Sequence, residues 1–114
     1  MSKTKLEFIE TIWPGHTTII SDANENVPYY LKPINNTIAI RVSNHKPIIN
    51  LMLIFKKLMV STSANLSNHP TPKTLDEIEK NFLDPDVGIY YFKNGNLKKP
   101  SAIIDLNSME YVRE

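Results

Sequence analysis

Apolar positions along the chain fall into short runs whose spacing alternates between helical and extended. Residues 5–13 set Leu6, Ile9 and Trp13 at helical spacing, with Phe8 and Ile12 beside them, and predict a short amphipathic helix. Pro14 and Gly15 end it, since proline breaks the hydrogen-bond ladder and glycine suits a turn. Residues 17–20 are β-branched throughout and predict a strand. Residues 21–36 are polar and punctuated by Pro28 and Pro33, the pattern of a loop with at most one ordered turn. The clearest strand covers 37–42, which is apolar except for Thr37 and Arg41. A helix follows to about residue 58, capped by Asn44, with Pro47 in its first turn. Ile48, Leu51, Met52 and Phe55 share one of its faces, and Lys56 and Lys57 suit the negative end of its dipole. Residues 59–62 predict a short buried strand, and 63–71 a polar segment rich in turns. Thr74 and Glu77 form a capping box for a helix through about residue 82, with Asp76 also favouring its start. Three more strands are predicted, over 87–92, 101–106 and 109–113, with turns at Asn94–Gly95 and near Asn107 and Ser108.

Strands alternating with helices argue for an α/β fold whose sheet has mixed directions and carries its helices packed on it. At 114 residues, with no repeat and no linker, the chain predicts a single domain over 1–114. A net charge of +1 announces neither a nucleic-acid nor a membrane binder. The absence of cysteine excludes disulfides, a thiolate nucleophile and thiolate metal sites. The longest apolar stretch, 47–55, is interrupted by Asn50 and is too short to span a bilayer, and residues 1–11 lack the apolar run of a signal peptide. The expectation is a cytoplasmic protein with no membrane association.

Two features could carry chemistry. Residues 60–67 read V-S-T-S-A-N-L-S, placing small hydroxyls and an amide directly after a predicted strand, where ligands dock in open α/β sheets. Such groups can cradle phosphate oxygens. The competing reading is a plain turn with a helix cap. Arg41 lies within an apolar strand, where burial is costly unless the charge is paired. It either alternates outward into solvent or lines a cleft and binds a carboxylate, a task its planar fork suits. His16, His45 and His69 are scattered, with no carboxylate at ligand spacing, so no metal site is expected. Lys98 and Lys99 read as a solvated turn, and Tyr90, Tyr91 and Phe92 as strand residues rather than a stacking platform.

Five segments in series resemble one family. Trp13, Pro14 and Gly15 followed by Thr18, Ile19 and Ile20 resemble its W-P-G-P-x-T-x-I/L entry to a strand. Residues 37–42 with Asn44 and His45 resemble T-V/I-A/G-V/I-R-V/I/L-P-x-H, and residues 61–67 resemble S/T-x-S-A-N-x-S. Residues 101–105 resemble S-T-I/V-V/I-D, and Tyr111, Val112 and Arg113 the closing I/V-L/I-R. The chain is thereby identified as similar to the YrdC-like domain of the threonylcarbamoyl-AMP synthase family. The resemblance implies a twisted α/β sheet around a concave, positively charged cavity. It implies conversion of ATP, L-threonine and bicarbonate to threonylcarbamoyl-AMP and pyrophosphate, for threonylcarbamoyladenosine formation in tRNA. Carried over position by position, Arg41 would hold the threonine carboxylate, with Ser61 and Ser101 lining that site. Thr37, Ser63, Thr71 and Arg113 would contact ATP, with Asn65 beside its phosphates and Mg²⁺ accompanying the nucleotide.

The family pattern begins earlier, with a strand ending Y-G-L and a K-x-R motif that grips the triphosphate, and no Lys-x-Arg occurs in this chain. The expectation is the C-terminal portion of the family domain, inactive alone and completed by a dimer partner or a separate chain. An exposed sheet edge and uncovered apolar surface would follow, and with them a homo-oligomer. The other readings are a paralogue that binds nucleotide, tRNA or double-stranded RNA without chemistry, and a module that docks onto the tRNA-modification proteins. Local departures from the pattern are His16 and Ser43 where it has Pro, Asn68 where it has Gly, and Ala102 where it has Thr.

Overall fold

The Ser2 hydroxyl accepts the Lys5 N–H at 3.3 Å and so caps helix α1, Lys3–Ile12. The computed structural model describes residues 1–32, 34–62, 68–88, 90 and 99–114. Trp13 leaves the helix in an extended conformation while its N–H still reaches the Ile9 carbonyl at 2.9 Å. A cis peptide bond then joins Trp13 to Pro14. A Cβ at Gly15 would come within 2.9 Å of the Ile12 carbonyl oxygen, so the turn accepts only glycine without a backbone shift. The Gly15 N–H is thereby free to close on the Val42 carbonyl at 2.8 Å.

Strand β1, Thr17–Asp22, lies inside a four-stranded sheet of order β2–β1–β3–β4, where β2 is Thr37–Ile40, β3 is Ala102–Asp105 and β4 is Glu110–Arg113. Strands β1 and β2 pair antiparallel with Ile19 opposite Ile40, and β1 and β3 pair parallel with Ile19 opposite Ile104. Strands β3 and β4 pair antiparallel, with a register shift between Ile103 and Ile104. The mixed sheet expected from the alternating pattern is therefore present. Between β1 and β2 the chain makes one short 3₁₀ turn, Tyr29–Leu31, and two left-handed residues, Asn35 and Asn36, a conformation asparagine tolerates.

Two ties hold α1 along the sheet. The Lys5 ammonium donates to Asn107 Oδ1 at 3.4 Å, and Asn107 Nδ2 donates to Asp22 Oδ1 at 2.9 Å. At the other end, the Trp13 indole N–H donates to the Thr17 carbonyl at 2.8 Å. The helix thus starts beside the end of β1 and finishes beside its beginning, running antiparallel to it. Ile19, Ala23, Ile104 and Leu106 are buried and make a small core centred on β1 and β3.

Helix α2, Lys46–Phe55, begins one residue later than Asn44 would have set it. His45 is the N-cap and makes no side-chain cap bond, while Pro47 sits in the first turn and is buried. It stops at Phe55 because Lys56 enters the left-handed region at φ 56°. Ile48, Leu51 and Met52 are half-buried as their common face predicts, whereas Phe55 is exposed. Among the described residues the buried strand expected over 59–62 has no strand partner, and Met59 and Val60 are exposed. Helix α3, Leu75–Asn81, is capped as expected, with Thr74 Oγ1 accepting the Glu77 N–H at 3.2 Å. The Glu77 carboxylate reaches back one residue further than a capping box requires, to the Lys73 N–H at 2.7 Å. The strand expected over 87–92 and the Asn94–Gly95 turn fall largely or wholly outside the described residues.

Candidate functional site

Antiparallel pairing on both flanks of the β1–β3 pair brings four strand ends together. The starts of β1 and β3 and the finishes of β2 and β4 all lie at one edge of the sheet. Ser101 precedes β3 there and is the buried polar residue of the described set, 9% exposed. Its hydroxyl lies 2.7 Å from Thr18 Oγ1. Arg113 closes from β4 onto the same residue, with Nε and Nη2 donating to the Ser101 carbonyl at 2.9 and 2.7 Å. Nη2 also lies 3.4 Å from Ser101 Oγ. The register shift in β3–β4 sets Arg113 opposite Ile103, close enough to make this grip.

Arg41 follows β2, which ends at Ile40 rather than at Val42 as the sequence suggests. The cause is local. The Val42 carbonyl is taken by Gly15 across the turn, and the Arg41 side chain turns to His16, with Nη1 3.3 Å from His16 Nδ1. The opposite imidazole nitrogen, Nε2, lies 2.8 Å from the Lys99 carbonyl oxygen. A carbonyl only accepts, so Nε2 carries the proton, and Nδ1 is left as the acceptor that Arg41 requires. Arg41 is half-buried rather than fully solvated, and among the described residues no carboxylate is paired with it.

That end of the sheet therefore carries two contact groups, Arg41 with His16, and Thr18 with Ser101 and Arg113. Of the residues singled out by sequence, Ser101 and Arg113 touch each other, and Arg41, on the far side of the sheet about 14 Å across the strands from β4, is at the same strand end. Thr37 is not, because it opens β2 opposite Asp22, about 13 Å along the strand from Arg41. There its hydroxyl donates to the Ile34 carbonyl at 2.8 Å. Ser61 and Thr71 are exposed on either side of the 63–67 segment, and Ser63 and Asn65 lie outside the described residues. His16 and Thr18 belong to these groups and were not singled out as site residues. The signal for His16 was its departure from the proline of the family pattern.

Chemically, such an edge suits a small anion. Each guanidinium offers several N–H donors in a plane, and donors to a carboxylate are charge-assisted. Arg113 has its Nε–Nη2 side engaged on Ser101, so it rigidifies that residue and keeps Nη1 for other partners. Among the described residues no three or more His, Asp or Glu side chains converge to cage a metal ion.

The Sua5/YciO/YrdC family model, described as telomere recombination, matches residues 1–114. A protein of Buchnera aphidicola subsp. Acyrthosiphon pisum named threonylcarbamoyl-AMP synthase is 42% identical over 101 residues, covering 89% of this chain and 57% of that protein. Its namesake from Buchnera aphidicola subsp. Schizaphis graminum is 40% identical over 101 residues, covering 89% and 53%. A third of the same name, from Vibrio campbellii, is 30% identical over 114 residues, covering 100% and 62%. The chain thus spans a little over half the length of the curated relatives it matches.

Proposed function

The chain belongs to the Sua5/YciO/YrdC family, and from that premise we propose that it serves threonylcarbamoyl-AMP formation for tRNA modification. The observation that supports this reading is the placement of Arg41, Ser101 and Arg113 at the same end of the sheet, with Arg113 closed on Ser101. Arg41 holds the carboxylate of L-threonine, and Ser101, fixed by Arg113 and Thr18, lines the same site with Ser61. Arg113, Ser63, Thr71 and Asn65 take ATP; a nucleotide that also reaches Thr37 must lie along β2.

The reaction needs no covalent enzyme intermediate. The threonine amine adds to bicarbonate with loss of water, giving an N-carboxylate. An oxygen of that carboxylate displaces pyrophosphate at the α-phosphorus of ATP. Holding the two reactants in register and balancing the charge that moves onto pyrophosphate supply the rate enhancement. Mg²⁺ would come on the ATP phosphates, its usual mode of binding, and would there offset charge on the leaving pyrophosphate.

The test is calorimetric titration of the protein with L-threonine and with ATP and Mg²⁺, followed by pyrophosphate release in bicarbonate. Saturable binding of L-threonine is expected. No heat from either ligand at millimolar concentration would sink the proposal.

Self-association is part of the same reading. Leu53, Ile54 and Phe55 at the end of α2 are 68%, 73% and 61% exposed, and Leu58 beyond it is 93% exposed. A contiguous run of this kind is rarely left in water. We expect a homo-oligomer by light scattering, and Leu53→Lys with Phe55→Lys should shift it to monomer; a monomeric wild-type protein at high concentration would count against it.

A further inference from the structure

His16 stands where the family pattern has proline, and a proline side chain offers no acceptor to a guanidinium. We propose that His16 is a positioning residue for Arg41. Its Nε2–H is anchored on the Lys99 carbonyl at 2.8 Å, which fixes the tautomer and the ring orientation. Nδ1 then presents a lone pair to Arg41 Nη1 at 3.3 Å. Its backbone is held as well, for the His16 carbonyl accepts the Ala102 N–H at 3.2 Å, beside Ser101. The residue is thus gripped at ring and backbone, and through it one side of the Arg41 guanidinium is held. The Nε–Nη2 side remains to receive a carboxylate in parallel hydrogen bonds. An arginine side chain has many rotamers, and holding it in advance lowers the ordering cost of binding.

The proposal rests on Arg41 being the carboxylate-binding residue, and its test separates the two. Nitrogen-15 NMR of the ligand-free protein reads the His16 tautomer and the Arg41 guanidinium directly. The expected result is an Nε2–H tautomer and slowed rotation of the Arg41 guanidinium. His16→Ala should free that rotation. His16→Asn places a carboxamide oxygen near the Nδ1 position and should restore it. His16→Gln extends toward Lys99 but puts no acceptor at Nδ1, and should not. An Nδ1–H tautomer, Arg41 signals indifferent to His16→Ala, or rescue by Gln rather than Asn would each overturn the proposal. In the titration with L-threonine, His16→Ala is expected to weaken binding about 3- to 10-fold, the scale of one hydrogen bond, with Asn again closer to wild type. If the wild-type protein binds no L-threonine, the reading of Arg41 falls, while the spectra still decide whether His16 holds it.

Discussion

Ile19→Ala is expected to destabilise the protein by about 3–5 kcal/mol, a large share of the roughly 5–15 kcal/mol that holds a domain together. Ile19 is the most deeply buried large side chain described, 1% exposed, on a strand with hydrogen-bonded neighbours on both sides. The cost of truncation depends on whether surroundings can collapse into the void. Here they cannot do so easily, because β2 and β3 fix the backbone on either flank and Ile104 opposite is itself 3% exposed. The informative control is its antiparallel partner. Ile40→Ala lies directly across the ladder on an edge strand, at 42% exposure, and should cost about 1 kcal/mol or less. Urea unfolding followed by circular dichroism measures both. Equal shifts in midpoint would show that the stability does not reside in the β1–β3 pair.

The elements that could be read from sequence are those whose signal is local. Thr17, Thr18, Ile19 and Ile20 are β-branched and form β1; Thr74 and Glu77 cap α3 as their spacing says. Asn107 and Ser108 turn between β3 and β4, where Met109 takes a left-handed conformation at φ 61°. What sequence could not supply was partnership. Residues 59–62 have the composition of a buried strand, but a strand needs a neighbour, and Met59 and Val60 find none among the described residues. Residues 41 and 42 look like the continuation of β2, but their hydrogen bonds go to Gly15 and His16 across a turn.

The site was legible to the same degree. Arg41, Ser101 and Arg113 could be marked as functional by resemblance to a family, but not as sharing one end of the sheet. Their shared end of the sheet comes from register: antiparallel β1–β2 turns the end of β2 toward the start of β1, parallel β1–β3 adds Ser101, and the shifted β3–β4 pairing adds Arg113. His16 escaped because histidine in a turn is ordinary. Its role depends on two oppositely directed contacts, to Arg41 and to Lys99, which lie 25 and 83 residues away.

Arg41→Ala is expected to lower affinity for L-threonine by about 100-fold or more, with little change in stability. Two charge-assisted hydrogen bonds from one guanidinium edge are each worth about 1.5–3 kcal/mol, and tenfold in affinity corresponds to about 1.4 kcal/mol. The fold itself has little to lose. Arg41 lies beyond the last paired residue of β2, and its described partner is the His16 imidazole rather than a buried carboxylate. Arg41→Lys separates charge from geometry. Lysine keeps the positive charge but presents a point rather than a planar fork, and it cannot both meet His16 Nδ1 and clasp a carboxylate in parallel. It should recover only part of the loss, about tenfold, by the share of attraction that depends on charge alone. Calorimetry with L-threonine, beside urea unfolding of each variant, reads both quantities. Full recovery by lysine would mean that the site recognises charge and not the carboxylate plane. Unchanged affinity in Arg41→Ala would move the threonine site away from this edge of the sheet, since Arg113 already has its fork on Ser101.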